Sequence, residues 1–168
     1  MSLVNGLPAH VLLVHFVVVL VPLTALALVV CAVWPQAARR LGLLLPLLAL
    51  ASLVSVPLTT QAGEWLESHV DSNALVRRHT ELGDGLLPWA LGLFVLAAAV
   101  WWTGRESSAP TATAKRRSAL PVRVAVAVLS LAVAAGAVVD VYRIGDSGAK
   151  AAWQDGFSKT ASNAPDAH

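Results

Sequence analysis

Four long stretches of this sequence carry no charged side chain, and they limit the chain to one class of fold. Asp, Glu, Lys and Arg are absent from residues 1–38, 41–63, 85–104 and 124–139. A helix of about 20 apolar residues crosses the roughly 30 Å hydrocarbon layer of a bilayer. Each crossing must be helical, because lipid offers no partner to an unpaired backbone amide. The sequence therefore predicts four membrane-spanning helices, near 11–33, 41–60, 83–102 and 122–141.

Composition supports a membrane protein and excludes several other classes. Of the 168 residues, 57% are hydrophobic and 13% are charged, whereas soluble domains carry about 25% charged residues. The single cysteine, Cys31, excludes an internal disulfide framework, a thiolate zinc site and covalent haem attachment, each of which needs at least two cysteines. We expect an all-α, up-down four-helix bundle over residues 1–145 and a flexible extracytoplasmic tail over 146–168.

The basic residues predict how the helices are oriented. The 34–40 turn and the 103–123 connection together hold seven Lys and Arg residues, and the remaining five lie on the other side of the membrane. Because Lys and Arg are enriched in cytoplasmic loops, both termini are expected outside the cytoplasm. The first stretch is interpreted as a retained helix and not as a signal peptide, since no positive charge precedes Arg39. The small net charge of +2 reflects this topology and indicates no nucleic-acid partner.

Histidines collect on the predicted outer side of the membrane. His10, His15, His69 and His79 all lie there, and Asp140 is an acid just inside the outer end of the fourth span. Counting residues from the inner ends of the spans places His15, His79 and Asp140 within about 6 Å of one level. Ionisable groups in membrane spans usually face a partner or a cavity, so these side chains are candidate functional residues.

Small residues share helix faces with these polar positions. Gly83 follows His79 by four residues, and Gly136 precedes Asp140 by four, which places each pair on one face of a helix. Small side chains let a neighbouring helix or a planar cofactor approach closely. His10 and His15 are five residues apart, so they point about 140° away from each other on a regular helix.

Several kinds of site fit this pattern. A haem b group bound by His15 and His79 is one, because imidazole is a good axial ligand and helix bundles build cofactor sites from inward-facing side chains. A zinc, copper or iron ion held by His10, His15, His79 and Asp140 is another. The histidines are otherwise structural groups near the lipid headgroups, with no cofactor, or part of a path for protons or solutes.

Four segments resemble a known family. They are GLPAHVLLVHF (6–16), TTQAGEWLE (59–67), VRRHTELG (76–83) and GAVVDVYRIG (136–145). Over residues 8–145 the chain resembles small bacterial membrane proteins catalogued as domain of unknown function 2231. The resemblance implies a four-helix membrane domain with His10, His15 and His79 as recurring polar positions. Some relatives carry Rieske-type redox domains, which implies electron transfer, and many have a histidine where this chain has Ile144.

Together these observations predict a small multi-pass protein of the bacterial cytoplasmic membrane. Its expected function is that of a haem- or metal-binding electron-transfer component, with histidines at the outer membrane face. The alternative is a non-redox scaffold or metal-delivery module whose histidines are structural. The sequence contains no visible nucleophile–base arrangement, so catalysis by this chain alone is not expected. The lipid bilayer and a redox or membrane-protein partner are the expected partners, and a homo-oligomer is left open.

Overall fold

The computed structural model describes residues 3–4, 7–67, 74–106 and 120–153. Strands β1 (Leu3–Val4) and β2 (Leu7–Pro8) pair in antiparallel register. The helices in the described ranges are α1 (Ala9–Val33), α2 (Pro35–Leu41), α3 (Leu44–Glu67), α4 (Ala74–Asp84), α5 (Leu86–Glu106) and α6 (Leu120–Trp153). His69 and residues 154–168 of the predicted tail lie outside the described residues.

Four segments are long and apolar enough to cross a membrane, which confirms the predicted all-α membrane fold. They are His10–Val33, Leu44–Trp65, Val76–Arg105 and Leu120–Lys150. Their outward faces carry large apolar side chains, for example Val19 and Leu26, which are 66% and 62% exposed. In water such a surface would be unfavourable, whereas in lipid it meets hydrocarbon. The chain is therefore a multi-pass membrane protein.

The helices extend further than the predicted spans at one end of the bundle. Helix α3 continues to Glu67 instead of ending near residue 60, and α6 continues to Trp153 instead of ending near 141. Residues 146–153, expected in the flexible tail, are thus part of a helix, supported by an ion pair between Lys150 and Asp146 at 2.7 Å. Hydropathy locates the apolar part of a helix, but a helix continues into water wherever its polar residues find partners.

The four spanning helices form a closed ring in which α1 packs on α3, α3 on α5, α5 on α6, and α6 on α1. Many core positions are alanine, and these alanines allow close approach of the helix backbones. Fully buried examples are Ala49, Ala90, Ala97 and Ala137. Larger side chains, such as Leu28, Leu45 and Leu93, fill the space between them. Because successive spanning helices run in opposite directions, the starts of α1 and α5 lie at the same end of the bundle as the ends of α3 and α6.

Helix α2 and Gly42 turn the chain from α1 into α3. Pro35 begins α2, where the missing N–H of proline is not needed. Gly42 has φ of +50° and its N–H donates to the carbonyl of Ala38 at 3.0 Å. A side chain at this position would be strained, because positive φ favours glycine. We call this end of the bundle the opposite end. The other end, with the start of α1, α4 and the end of α6, is the histidine end.

Candidate functional site at the histidine end

Two imidazoles from different helices meet at the histidine end. His10 lies in the first turn of α1 and His79 in the middle of α4. Their ring centroids are 6.1 Å apart, and the ring planes are nearly perpendicular, at 85°. Both residues are half-buried. Because α4 and α1 are far apart in the sequence, the two rings meet only through the packing of α4 against α6 and α3.

His10 is held against α3 by a hydrogen bond and by a glycine. Its Nδ1 lies 3.0 Å from the carbonyl oxygen of Thr59. A carbonyl oxygen can only accept, so Nδ1–H is the donor, and in the neutral ring Nε2 carries the free lone pair. The ring also lies over Gly63, where a Cβ atom would come within 3.0 Å of Cε1. Thr59 and Gly63 are four residues apart, so they lie on one face of α3. On this face Thr59 accepts the hydrogen bond from the ring, and Gly63 leaves the space that the ring occupies.

His79 is held against α6 in the same manner. Its Nδ1 lies 3.0 Å from the hydroxyl oxygen of Ser147. That hydroxyl donates to the carbonyl of Ile144 at 2.8 Å, so its oxygen accepts from Nδ1–H of His79. Nε2 of His79 consequently carries the lone pair in the neutral ring, as in His10. Gly148 leaves the space that this ring occupies, because a Cβ atom there would be 2.9 Å from Cε1 of His79.

His15, which was expected to pair with His79, lies elsewhere. Its side chain is exposed, and its Nδ1 lies 2.6 Å from the carbonyl oxygen of Val11, one turn earlier in the same helix. The five-residue spacing explains the difference, because it rotates His15 about 140° away from His10. Since His10 faces the interior, His15 faces outward. The structure therefore brings His79 together with His10 and not with His15.

The two glycines proposed to admit a cofactor have different surroundings. A Cβ atom on Gly136 would lie 2.2 Å from the indole ring of Trp89, so this site is filled by a side chain of α5. Gly83 has only the methyl group of Thr60 near its Cβ position, at 3.9 Å. Gly136 is thus a packing contact between α5 and α6. The glycines beside the imidazoles are Gly63 and Gly148.

Asp140 lies on the same face of α6 as Ser147, about two turns away. The nearest atom of Asp140 to the Cβ position of Gly85 is Oδ2, at 3.8 Å, and this buried oxygen has no hydrogen-bond partner among the described residues. Within these residues, no three His, Cys, Asp or Glu side chains form a group that could hold a metal ion. The expected set of His10, His15, His79 and Asp140 is therefore only partly assembled, as the His10 and His79 pair.

The sequence interpretation missed the groups that orient the two rings. These are the Thr59 carbonyl, Ser147, Gly63 and Gly148. Spacing offered a signal for two of them, because Ser147 and Gly148 follow Asp140 by seven and eight residues and so continue its helix face. That signal was hidden by the assumption that the fourth helix ends near residue 141. A backbone carbonyl such as that of Thr59 leaves no trace in the sequence.

Comparison with known proteins places the chain in a family. The profile described as "Predicted membrane protein (DUF2231)" matches residues 6–161, and the chain belongs to this family. The expected resemblance is thereby confirmed over nearly the whole sequence. No curated protein and no solved structure matches the chain.

Proposed function

We propose that this DUF2231 membrane protein binds a transition-metal centre between His10 and His79 and acts as a small electron-transfer component. The observation that supports the proposal is the meeting of two imidazoles from separate helices, 6.1 Å apart, each with Nδ1 engaged by an oxygen. Electron transfer is inferred from the site chemistry together with the Rieske-type redox domains that the family resemblance implies for some relatives. A redox protein is the partner that such a function requires.

The hydrogen bonds prepare both rings for coordination through Nε2. A metal-ligating histidine usually donates its other ring N–H to a carbonyl, carboxylate or water, which fixes the tautomer and the ring orientation. His10 donates to the Thr59 carbonyl and His79 to the Ser147 hydroxyl. In the neutral form both rings therefore present an unprotonated Nε2, which is the form that binds a metal.

The separation of the rings matches the space that one metal needs. A metal bonded to two facing imidazole nitrogens at about 2.0–2.1 Å holds the ring centroids roughly 6 Å apart. The centroids of His10 and His79 are 6.1 Å apart. Two imidazoles are a complete protein ligand set for haem iron, whereas a zinc ion takes three or four protein ligands. By ligand count, the pair therefore fits the iron of haem b better than a bare zinc ion.

The visible spectrum of the protein purified in detergent tests the proposal. A Soret band lost in His10→Ala and in His79→Ala supports haem. His15→Ala is the matched control, because its exposed side chain bonds only its own helix, and it should keep the band. A colourless protein with one equivalent of metal, lost in the same two variants, supports a bare ion. A spectrum and elemental analysis that are both blank would overturn the proposal.

A structural role for the two histidines is the second candidate. The hydrogen bond of His10 joins α1 to α3, and that of His79 joins α4 to α6. Both bonds hold helices together without any ligand, which is what a membrane scaffold requires. In that case His10→Ala and His79→Ala lower the stability of the apoprotein, and no cofactor or metal co-purifies.

The proposed location is a bacterial cytoplasmic membrane with both termini outside the cytoplasm. Seven of the Lys and Arg residues lie on the side of the 34–40 and 103–123 connections, which supports this orientation. The histidine end would then face the exterior. A reporter enzyme fused after His168 should be active in the periplasm, and activity in the cytoplasm would reverse the orientation.

A further inference from the structure

The opposite end of the bundle is the basic end of the chain. The stretches 34–40 and 103–123 together hold seven Lys and Arg residues and one acid, Glu106, whereas the rest of the sequence holds nine acids and five Lys and Arg residues. These two stretches connect α1 to α3 and α5 to α6 at the opposite end. A ligand for this end is therefore expected to be an anion.

Helix α2 presents two adjacent arginines there. Its residues Ala37, Ala38 and Leu41 are partly buried and pack against the core of the bundle, whereas Arg39 and Arg40 in its last turn are exposed. A helix with one apolar face and one charged face is typical of a segment that lies in the headgroup layer of a membrane. The exposed guanidinium groups of α2 are therefore placed where lipid phosphates lie.

Arg105 adds a third guanidinium group from the end of α5. It is exposed in the last turn of that helix, on which α2 packs. Its Cζ lies 4.8 Å from the ring centroid of Trp101, so a cation–π contact holds this charge against the helix. At 1.5 Å per residue α2 is about 10 Å long. The arginines of α2 consequently lie at the same rim of the bundle as Arg105.

Indole rings mark this rim as the membrane interface. Trp34 and Trp102 are 62% and 60% exposed, and Trp101 meets Trp102 edge to face with ring centroids 6.3 Å apart. Tryptophan is enriched at the headgroup level of membranes, because its ring is apolar and its N–H is polar. The neighbouring arginines are therefore at the depth of the phospholipid phosphates.

These positive charges are not neutralised by the protein itself. Among the described residues, no carboxylate forms an ion pair with Arg39, Arg40 or Arg105. Helix α2 contains two arginines and no acid, whereas α4 at the histidine end contains two arginines and two acids. An anionic ligand is thus favoured at the opposite end, and much less beside α4.

We propose that the opposite end binds anionic phospholipids through Arg39, Arg40 and Arg105, with the lipid phosphate as the bound group. Guanidinium groups bind phosphate oxygens through paired N–H donors, and anionic lipids attract basic residues next to membrane helices. A zwitterionic lipid carries the same phosphate, but its ammonium group cancels the charge. The site does not depend on a metal between His10 and His79, nor on which side of the membrane it faces.

Counting bound lipids by native mass spectrometry tests the proposal. The delipidated protein in a non-ionic detergent is titrated with phosphatidylglycerol, and separately with phosphatidylcholine of the same acyl chains as the neutral lipid. The double variant Arg39→Gln/Arg40→Gln removes two charges from the site. Arg77→Gln/Arg78→Gln is the matched control, because it also removes two adjacent, exposed arginines from a short helix, at the histidine end.

The site predicts that the unaltered protein binds phosphatidylglycerol more tightly than phosphatidylcholine. An arginine near a membrane surface contributes about fivefold to the binding of anionic lipid, so Arg39→Gln/Arg40→Gln should weaken phosphatidylglycerol binding about 25-fold and Arg105→Gln about fivefold. The control variant should bind as the unaltered protein does. Equal affinity for the two lipids would overturn the proposal, and equal losses in both double variants would overturn the location of the site.

Two measurements on the unaltered protein apply even if a variant fails to fold. The affinity for phosphatidylglycerol should fall as the concentration of ammonium acetate rises, because salt screens exposed charges. Binding that is independent of salt contradicts a site made of arginines. Inorganic phosphate added at the concentration of the lipid should not displace it. Displacement would show that the site takes free phosphate and would overturn a lipid as its ligand.

Discussion

The interior of the bundle differs in chemistry on the two sides of the level at which the hydroxyls of Thr24 and Ser52 meet, although the same helices pass through both. We call the part from this level to His10 the histidine half, and the part from this level to the opposite end the opposite half. The histidine half contains buried hydroxyls and ends at the pair of imidazoles. The opposite half is packed with leucine, alanine and valine. Most of the buried hydroxyls donate to a carbonyl of their own helix, and apolar side chains such as Val21 and Leu93 are buried in the histidine half as well. Both halves therefore contribute to packing, whereas the proposed site and the buried polar groups of the described residues lie in the histidine half.

Shortening a side chain in the opposite half should give the largest loss of stability. Leu28 is fully buried, so Leu28→Ala leaves a cavity and should lower the free energy of unfolding by about 2–5 kcal/mol. Any bound cofactor should keep its spectrum. The measurement is unfolding in mixed micelles followed by circular dichroism, with the exposed Leu26→Ala as control. Equal losses for both variants would show that the buried Leu28 contributes no more to stability than the exposed Leu26.

Adding one methyl group at the α5–α6 contact should have the next largest effect. The Cβ of Gly136→Ala would lie 2.2 Å from the indole of Trp89. Trp89 or the helices must move, which should cost about 1–3 kcal/mol of stability. Gly145→Ala is the matched control on the same helix, since nothing lies within 4 Å of its Cβ position. If both variants unfold at the same detergent concentration, the contact is looser than described.

Removing the hydroxyl that orients His79 should affect the ligand more than the fold. Ser147→Ala leaves Nδ1 of His79 without its acceptor, and loss of such a partner typically costs about 10–100-fold in metal affinity. Affinity is measured by titrating haem or a metal ion into the apoprotein. Ser55→Ala is the control, because its hydroxyl only bonds the carbonyl of Ser52. Unchanged affinity in Ser147→Ala would remove Ser147 from the site.

The hydrogen bond between Thr24 and Ser52 should give the smallest effect. Hydrogen bonds between membrane helices contribute on average about 0.6 kcal/mol. A double-mutant cycle with Thr24→Val and Ser52→Ala should therefore yield a coupling energy of about this size in the unfolding measurement. A coupling above ~2 kcal/mol, beyond the largest values typical of membrane helices, would show that this pair holds the bundle together and would blur the contrast between the halves.

Much of the fold could be predicted from the sequence, and little of the site. The charge-free stretches located all four crossings, because lipid forces each apolar segment to be a helix. The predicted spans left out most of α4 and the polar ends of α3 and α6, because hydropathy marks only the apolar part of a helix. For the site, His10 and His79 were among the candidates, but the pairing was expected between His15 and His79.

The sequence alone determined that this chain is a membrane protein with four helical crossings, because the solvent imposes that requirement on each segment separately. Only the tertiary structure decided which polar groups meet. The packing of α4 against α6 and α3 brings His79 to His10, while the helical rotation between His10 and His15 turns the latter outward. Contacts between distant segments depend on how helices pack, and packing is a property of the whole bundle.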